Sequence, residues 1–223
     1  QKAQGIMCLS NTKQLTLGWT MYAHDNKERL IYNKPSADNG NWVANKLNWL
    51  NDPQNINVNL IKNALLASYV ANNLGVYKCP ADVVPSLAGP RTRSVSMNAF
   101  VGDIGGGGSI NPAWQQFLKL GDFRNPSGIY VFLDEHPDSI NDGWFVFCTA
   151  GDPAERTQWS DLPASYHNGA CGFSFADGHS EIKRWLVSTT KRPVMKSETG
   201  LPAAVGSNTK DITWVAERTT VKK

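Results

Sequence analysis

Apolar positions in the first 26 residues recur at helical spacing. Ile6, Leu9, Leu15, Leu17, Trp19, Met21 and Tyr22, with Ala3 and Cys8 alongside, mostly fit one stripe, while Lys2, Gln4, Lys13 and Gln14 stay polar. The pattern predicts one amphipathic helix over residues 1–26. Nothing like a capping box precedes Gln1, so either the helix continues upstream or it starts uncapped. Val58, Leu60, Ile61, Leu65, Leu66, Tyr69 and Val70 predict a second helix over 57–70. It stops near Asn72–Gly75, where Asn and Gly accept left-handed backbone. Beyond that the pattern turns to strands, at 91–101, 128–134, 143–149, 172–177 and 181–187. Asp177–Gly178 supplies the tight turn between the last two. One apolar patch in the polar tail, Ile212–Val215, reads as an edge strand or an arm.

Composition narrows the class. The chain has 223 residues, 41% of them hydrophobic, enough for a core in one large domain or two small ones. Mean hydropathy is −0.36, and no apolar run approaches the roughly 18 residues of a membrane helix, which predicts a soluble chain. Lys and Arg number 22 against 19 Asp and Glu, and a net charge of +3 argues against a nucleic-acid binder with its clustered basic face. Eight Trp, eight Phe and six Tyr argue against disorder. The 20 Asn, many between 33 and 73, with 19 Gly and 12 Pro, predict long irregular loops. Gly105–Gly108 lacks the Lys-Ser/Thr of a phosphate loop and reads as structural.

Suppose the strands at 128–134, 143–149 and 172–177 form an antiparallel meander. The loop from Asp134 to Gly143 then gathers oxygen donors beside Asp177. Asp134, Glu135, Asp138, Asn141, Asp142 and Asp177 could surround calcium, which takes six to eight oxygens; the plainer alternative is a solvated acidic loop. The same geometry makes Cys148 a neighbour of Cys171, as a disulfide or as free thiols. Cys8 and Cys79 would be the other pair, pinning the first helix to the turn after the second. A zinc site from His136, His167 and His179 is disfavoured, because the ten residues from His167 to Asp177 span about 33 Å when extended.

Catalysis has little support. Gly-x-Ser-x-Gly, His-Glu-x-x-His and Gly-x-Gly-x-x-Gly are all absent from the sequence. Asp134 and Glu135 are adjacent on a strand, so they face opposite ways and make a poor acid–base pair. Cys171 with His167 lacks an orienting third group. Trp42, Trp49, Trp114 and Trp159 could stack on sugars if exposed, though packing in the core is the plainer reading.

His167-Asn-Gly-Ala-Cys-Gly-Phe-Ser-Phe-Ala-Asp177-Gly178 places nine residues between the His and the Asp-Gly pair. It resembles the H-X9-DG motif of the prepilin-type, processing-associated bacterial proteins, which are pseudopilin-like. Four further stretches are similar and in the right order: Cys8–Leu15, Met21–Asn26, Tyr77–Asp82 and Phe132–Gly143. The likeness extends to about residue 187. It implies an α+β, pilin-like fold, with an N-terminal helix packed on an antiparallel sheet head with long irregular loops. Residues 1–26 would be the C-terminal half of the pilin-type helix and 27–223 the head.

The implied role is a non-enzymatic subunit of a type II secretion or type IV pilus-like filament. Its partners would be other pseudopilin subunits, the secretion machinery and, through an apolar segment not in this sequence, the inner membrane; no nucleic acid is expected. The head would lie in the periplasm or outside the cell, where disulfides persist, which favours both cysteine pairs. Some related major pseudopilins hold calcium, but the local sequence here differs from theirs. The alternative is a polysaccharide-binding module on the same scaffold.

Overall fold

The computed structural model describes residues 2–35, 38, 40–146, 157–197 and 201–223. The fold is α+β. Helix α1 runs Lys2–Asp25, as the pattern predicts, and is followed by a long irregular segment. A five-stranded sheet comes next, built from β1 (Val95–Asn98), β2 (Tyr130–Asp134), β3 (Trp144–Phe145), β5 (Ala170–Phe175) and β6 (Ser180–Arg184). The short strands β4 (Gln158–Trp159) and β7 (Ala203–Ala204) pair with each other.

The sheet departs from a meander. Its order is β3-β1-β2-β5-β6, and β3 lies parallel to β1, with Met97 opposite Trp144. β2 and β3 are therefore not neighbours. The chain after β2 is carried past β1 and held there: Met97 N donates to Gly143 O at 2.9 Å and Arg93 Nη2 donates to Asp142 O at 2.7 Å. The β5–β6 hairpin forms as expected, with Gly178 at φ +91° in its turn.

Two other elements differ from expectation. The stretch 57–70 is broken into α2 (Asn59–Lys62) and a 3-10 turn at Ala67–Val70. Between them Leu65 N donates to Asn41 O instead of to its own helix. Ile212–Val215 lies in helix α3 (Lys210–Ala216), with Ile212, Val215 and Ala216 buried at helical spacing.

The sheet is covered on both faces. One face packs Val95, Met97, Val131 and Phe132 against Leu15, Trp19 and Ala23 of α1 and against Trp42, Ile61 and Tyr77. The other packs Tyr130, Leu133, Cys171 and Phe173 against Trp159, Trp185, Ile212 and Val215. Tyr130 and Val131 serve opposite cores, as do Phe132 and Leu133, while Val131 and Phe132 share one where the β2–β5 register shifts between Tyr130 and Phe132.

The asparagines replace missing ladder bonds in the irregular segment. Asn33 Nδ2 donates to Asn98 O and Val101 O, and Asn55 Nδ2 donates to Asn48 Oδ1 and Leu50 O. Asn98 Nδ2 ties β2 to the C-terminal segment through Tyr130 O at 2.9 Å and Thr219 O at 2.8 Å.

Trp19 is fully buried between α1 and the sheet and meets Phe123 edge-on. Trp19→Ala is expected to destabilise the fold by about 3–5 kcal/mol, through lost transfer energy and the cavity left behind. Urea unfolding followed by far-UV dichroism measures it, and a loss below about 1 kcal/mol would contradict this packing.

Candidate metal centre

Helix α1 turns an unusual face to the sheet. Its buried residues are Gly5, Cys8, Thr12, Leu15, Thr16, Gly18, Trp19 and Ala23, most of them small. Small residues let the helix backbone lie close. Thr16 Oγ1 reaches Ser174 Oγ on β5 at 2.7 Å. Gly172 on β5 takes the same part from below: a Cβ there would stand 2.8 Å from Cys8 Sγ and 3.3 Å from Asp134 Oδ2.

This close approach brings four separate segments together. Cys8 comes from α1, Cys79 from the turn after the 3-10 segment Leu74–Tyr77, Asp134 from the end of β2, and His167 from the turn before β5. One ligand atom from each lies within 4.8 Å of the others, and all four residues are buried. Cys8 Sγ donates to Asp134 Oδ2 at 2.5 Å, and Cys79 Sγ lies 3.4 Å from His167 Nε2. Ala81 N donates to Cys79 Sγ at 3.4 Å, and Cys79 N donates to Ser94 Oγ at 2.7 Å, which fixes the turn that presents the sulfur. Among the described residues no other group of three or more Cys, His, Asp or Glu side chains is gathered this way.

The surroundings are hard on charge. Contact with the Cys79 side chain, burial and the nearby Asp134 push the Cys8 thiol far above its ordinary value. Burial pushes the Asp134 carboxyl up to about 7, partly offset by the bond from Cys8. Burial holds the His167 imidazole below its usual value. Asp134 Oδ1 and His167 Nδ1 are buried without a hydrogen-bond partner. Two sulfurs, an imidazole and a carboxylate form the donor set of a borderline-soft divalent metal rather than of calcium.

The acidic loop does not assemble into a cage. Of its members only Asp134 joins the cluster. Glu135 faces the other way, as strand alternation requires, and accepts from Ser139 Oγ at 2.6 Å; burial pushes it up to about 7. Asp138 accepts from Met195 N and Ser197 N, Asn141 Oδ1 from Asp142 N, and Asp142 Oδ1 from Trp144 N. Asp177 Oδ1 accepts from His179 N at 3.0 Å and pairs with His179 Nδ1 at 2.6 Å in the β5–β6 turn. These oxygens serve separate donors, among them a hydroxyl and amides from the distant segment at Met195 and Ser197, instead of converging on one point.

The expected disulfides fare differently. Cys8 and Cys79 do meet, but as free thiols. Cys148 lies outside the described residues; Cys171 is a buried free thiol whose Sγ donates to Asp134 O at 3.1 Å. The H-X9-DG spacing acquires a geometric meaning, because β5 separates His167 at the cluster from Asp177–Gly178 at the turn. His167 and His179 thus lie at opposite ends of the strand. His136 is elsewhere, with Nε2 3.1 Å from Arg192 O. Trp42, Trp49 and Trp159 are buried and present no open sugar-stacking face, while Trp114 is half-buried.

Gly172→Ala is expected to drive Cys8 away from β5 and to destabilise the fold by about 1–3 kcal/mol, the range for overpacking a tight core. Thermal or urea unfolding checks it; an unchanged midpoint would mean that the helix and strand are not in close contact. No family model, curated protein or solved structure matches the chain.

Proposed function

We propose that the chain is a non-enzymatic, pseudopilin-like subunit of a type II secretion or type IV pilus-like filament, in which the outer face of α1 packs against α1 of neighbouring copies. The observation that carries this reading is two exposed apolar patches on one side of α1, Ile6–Met7 and Leu17–Met21, with Ser10 and Gln14 between them. Ile6, Met7, Leu17 and Met21 are 69%, 55%, 62% and 48% exposed. At about 100° per residue they fall within roughly one quadrant of the helix, opposite the face that packs on the sheet. A helix that only capped its own sheet would gain nothing from a second apolar face, whereas a helix shared between copies needs one.

The resemblance of the H-X9-DG stretch and its companions supports the same reading, as does a long N-terminal helix laid on a sheet. In this role the head works outside the cytoplasm. An apolar segment preceding the present helix would hold the subunit in the inner membrane until assembly. Among the described residues no helix is long and apolar enough to cross a membrane by itself.

The test uses the full-length protein in its native cell. Leu17→Glu with Met21→Glu is expected to remove the subunit from the sheared filament fraction. Because both side chains face solvent, the melting temperature of the purified chain should shift by no more than about 2 °C, within the usual range for surface changes. Undiminished incorporation of the double variant would overturn the proposal.

A further inference from the structure

We infer that Cys8, Cys79, Asp134 and His167 form a structural zinc site that staples helix α1 to the head. The inference does not rest on the filament role. Structural zinc is held by four Cys, His or carboxylate ligands in a closed tetrahedral shell, with Zn–S near about 2.3 Å and Zn–N or Zn–O near about 2.0–2.1 Å. Those bond lengths place a sulfur and a nitrogen ligand about 3.5 Å apart. Cys79 Sγ and His167 Nε2 are 3.4 Å apart already. Cys8 Sγ and Asp134 Oδ2, at 2.5 Å, would open by about 1 Å to admit the ion.

Three further observations point to a ligand. The donors come from four segments far apart in the chain, and chance packing of apolar segments rarely concentrates two sulfurs, an imidazole and a carboxyl with little else to bond. Asp134 Oδ1 and His167 Nδ1 are buried without partners, so neither residue is fully committed to hydrogen bonds within the chain. Cys79 Sγ already accepts an N–H from Ala81 at 3.4 Å, which holds the sulfur at the cluster.

Burial of all four ligands leaves no open position for a substrate. The site is therefore structural rather than catalytic. The two thiols replace the oxygen cage that calcium would need, so calcium is not expected to compete.

The experiment begins with the whole chain, reduced, freed of metal with a chelator and titrated with ZnCl2 or CoCl2. Zinc is expected to bind one per chain and to raise the melting temperature, while calcium chloride leaves it unmoved. Cobalt should give the intense visible bands of a tetrahedral ion with a thiolate charge-transfer band, and X-ray absorption of the zinc form should count two sulfurs. Cys79→Ser should weaken zinc by more than the roughly 10–100-fold that loss of an outer-shell partner costs, and Cys171→Ala should not. If the serine variant fails to fold, the wild-type spectra still decide. Substoichiometric zinc, an octahedral cobalt spectrum, or a native mass lower by two hydrogens from a Cys8–Cys79 disulfide would each overturn the assignment.

Discussion

The closeness of α1 to the sheet is the constraint from which the rest follows. A helix faced with Leu or Phe stands off from a strand by the length of those side chains. Here Gly5, Cys8, Thr12 and Thr16 bring the two backbones together, and Gly172 removes the last obstacle on the strand side. Only at this separation can side chains as short as Cys, Thr and Ser bond across the interface. Dispersion between the closely packed atoms supplies the cohesion that large apolar side chains supply elsewhere. The cluster at Cys8 and the Thr16–Ser174 contact are both products of one spacing.

A second constraint is backbone satisfaction. The segment between α1 and β1 is long and poor in regular structure, yet much of it is buried. Its amides and carbonyls cannot all find ladder partners, and a buried unpaired one costs about 1–3 kcal/mol. Asparagine carries both a donor and an acceptor on a short arm, and Asn33, Asn55 and Asn98 use it to bridge strands and loops. Arg93 does the same from a fully buried position, reaching Val95 O and Asp142 O. The asparagine content is thus a structural requirement of an irregular core as much as a sign of turns.

Where local pattern dominates, sequence and structure agree. Helix α1, β2, β5 and the Asp177–Gly178 hairpin lie close to where periodicity and turn chemistry put them. The choice of buried face on α1 was not legible in the same way. The apolar residues Ile6, Leu17 and Met21 point out, and small and hydroxyl-bearing residues point in, so a hydrophobicity count favours the wrong side. The second helix failed because Leu65 found a better acceptor in Asn41, a contact that no local pattern reports. The metal cluster was hidden for a related reason. Its cysteines are visible but read as disulfide halves, and His167 reads beside the other histidines and Cys171, never beside Cys8 or Cys79. The spacing from Cys79 to His167 says nothing until the sheet order is known, and β1 entering between β2 and β3 rearranged that order.

The edges of the sheet carry one more consequence. β3 is two residues long, and β6 at the opposite edge reads Ser180-Glu181-Ile182-Lys183-Arg184, with three charges in five residues. Short edges and charged edges both resist the addition of a further strand. Copies of this chain are thereby discouraged from joining sheet to sheet, the route by which β-rich proteins aggregate. In the proposed filament, association would then rest on side-chain contacts between helices, whose geometry and strength single residues can tune, and not on backbone pairing, which is hard to reverse.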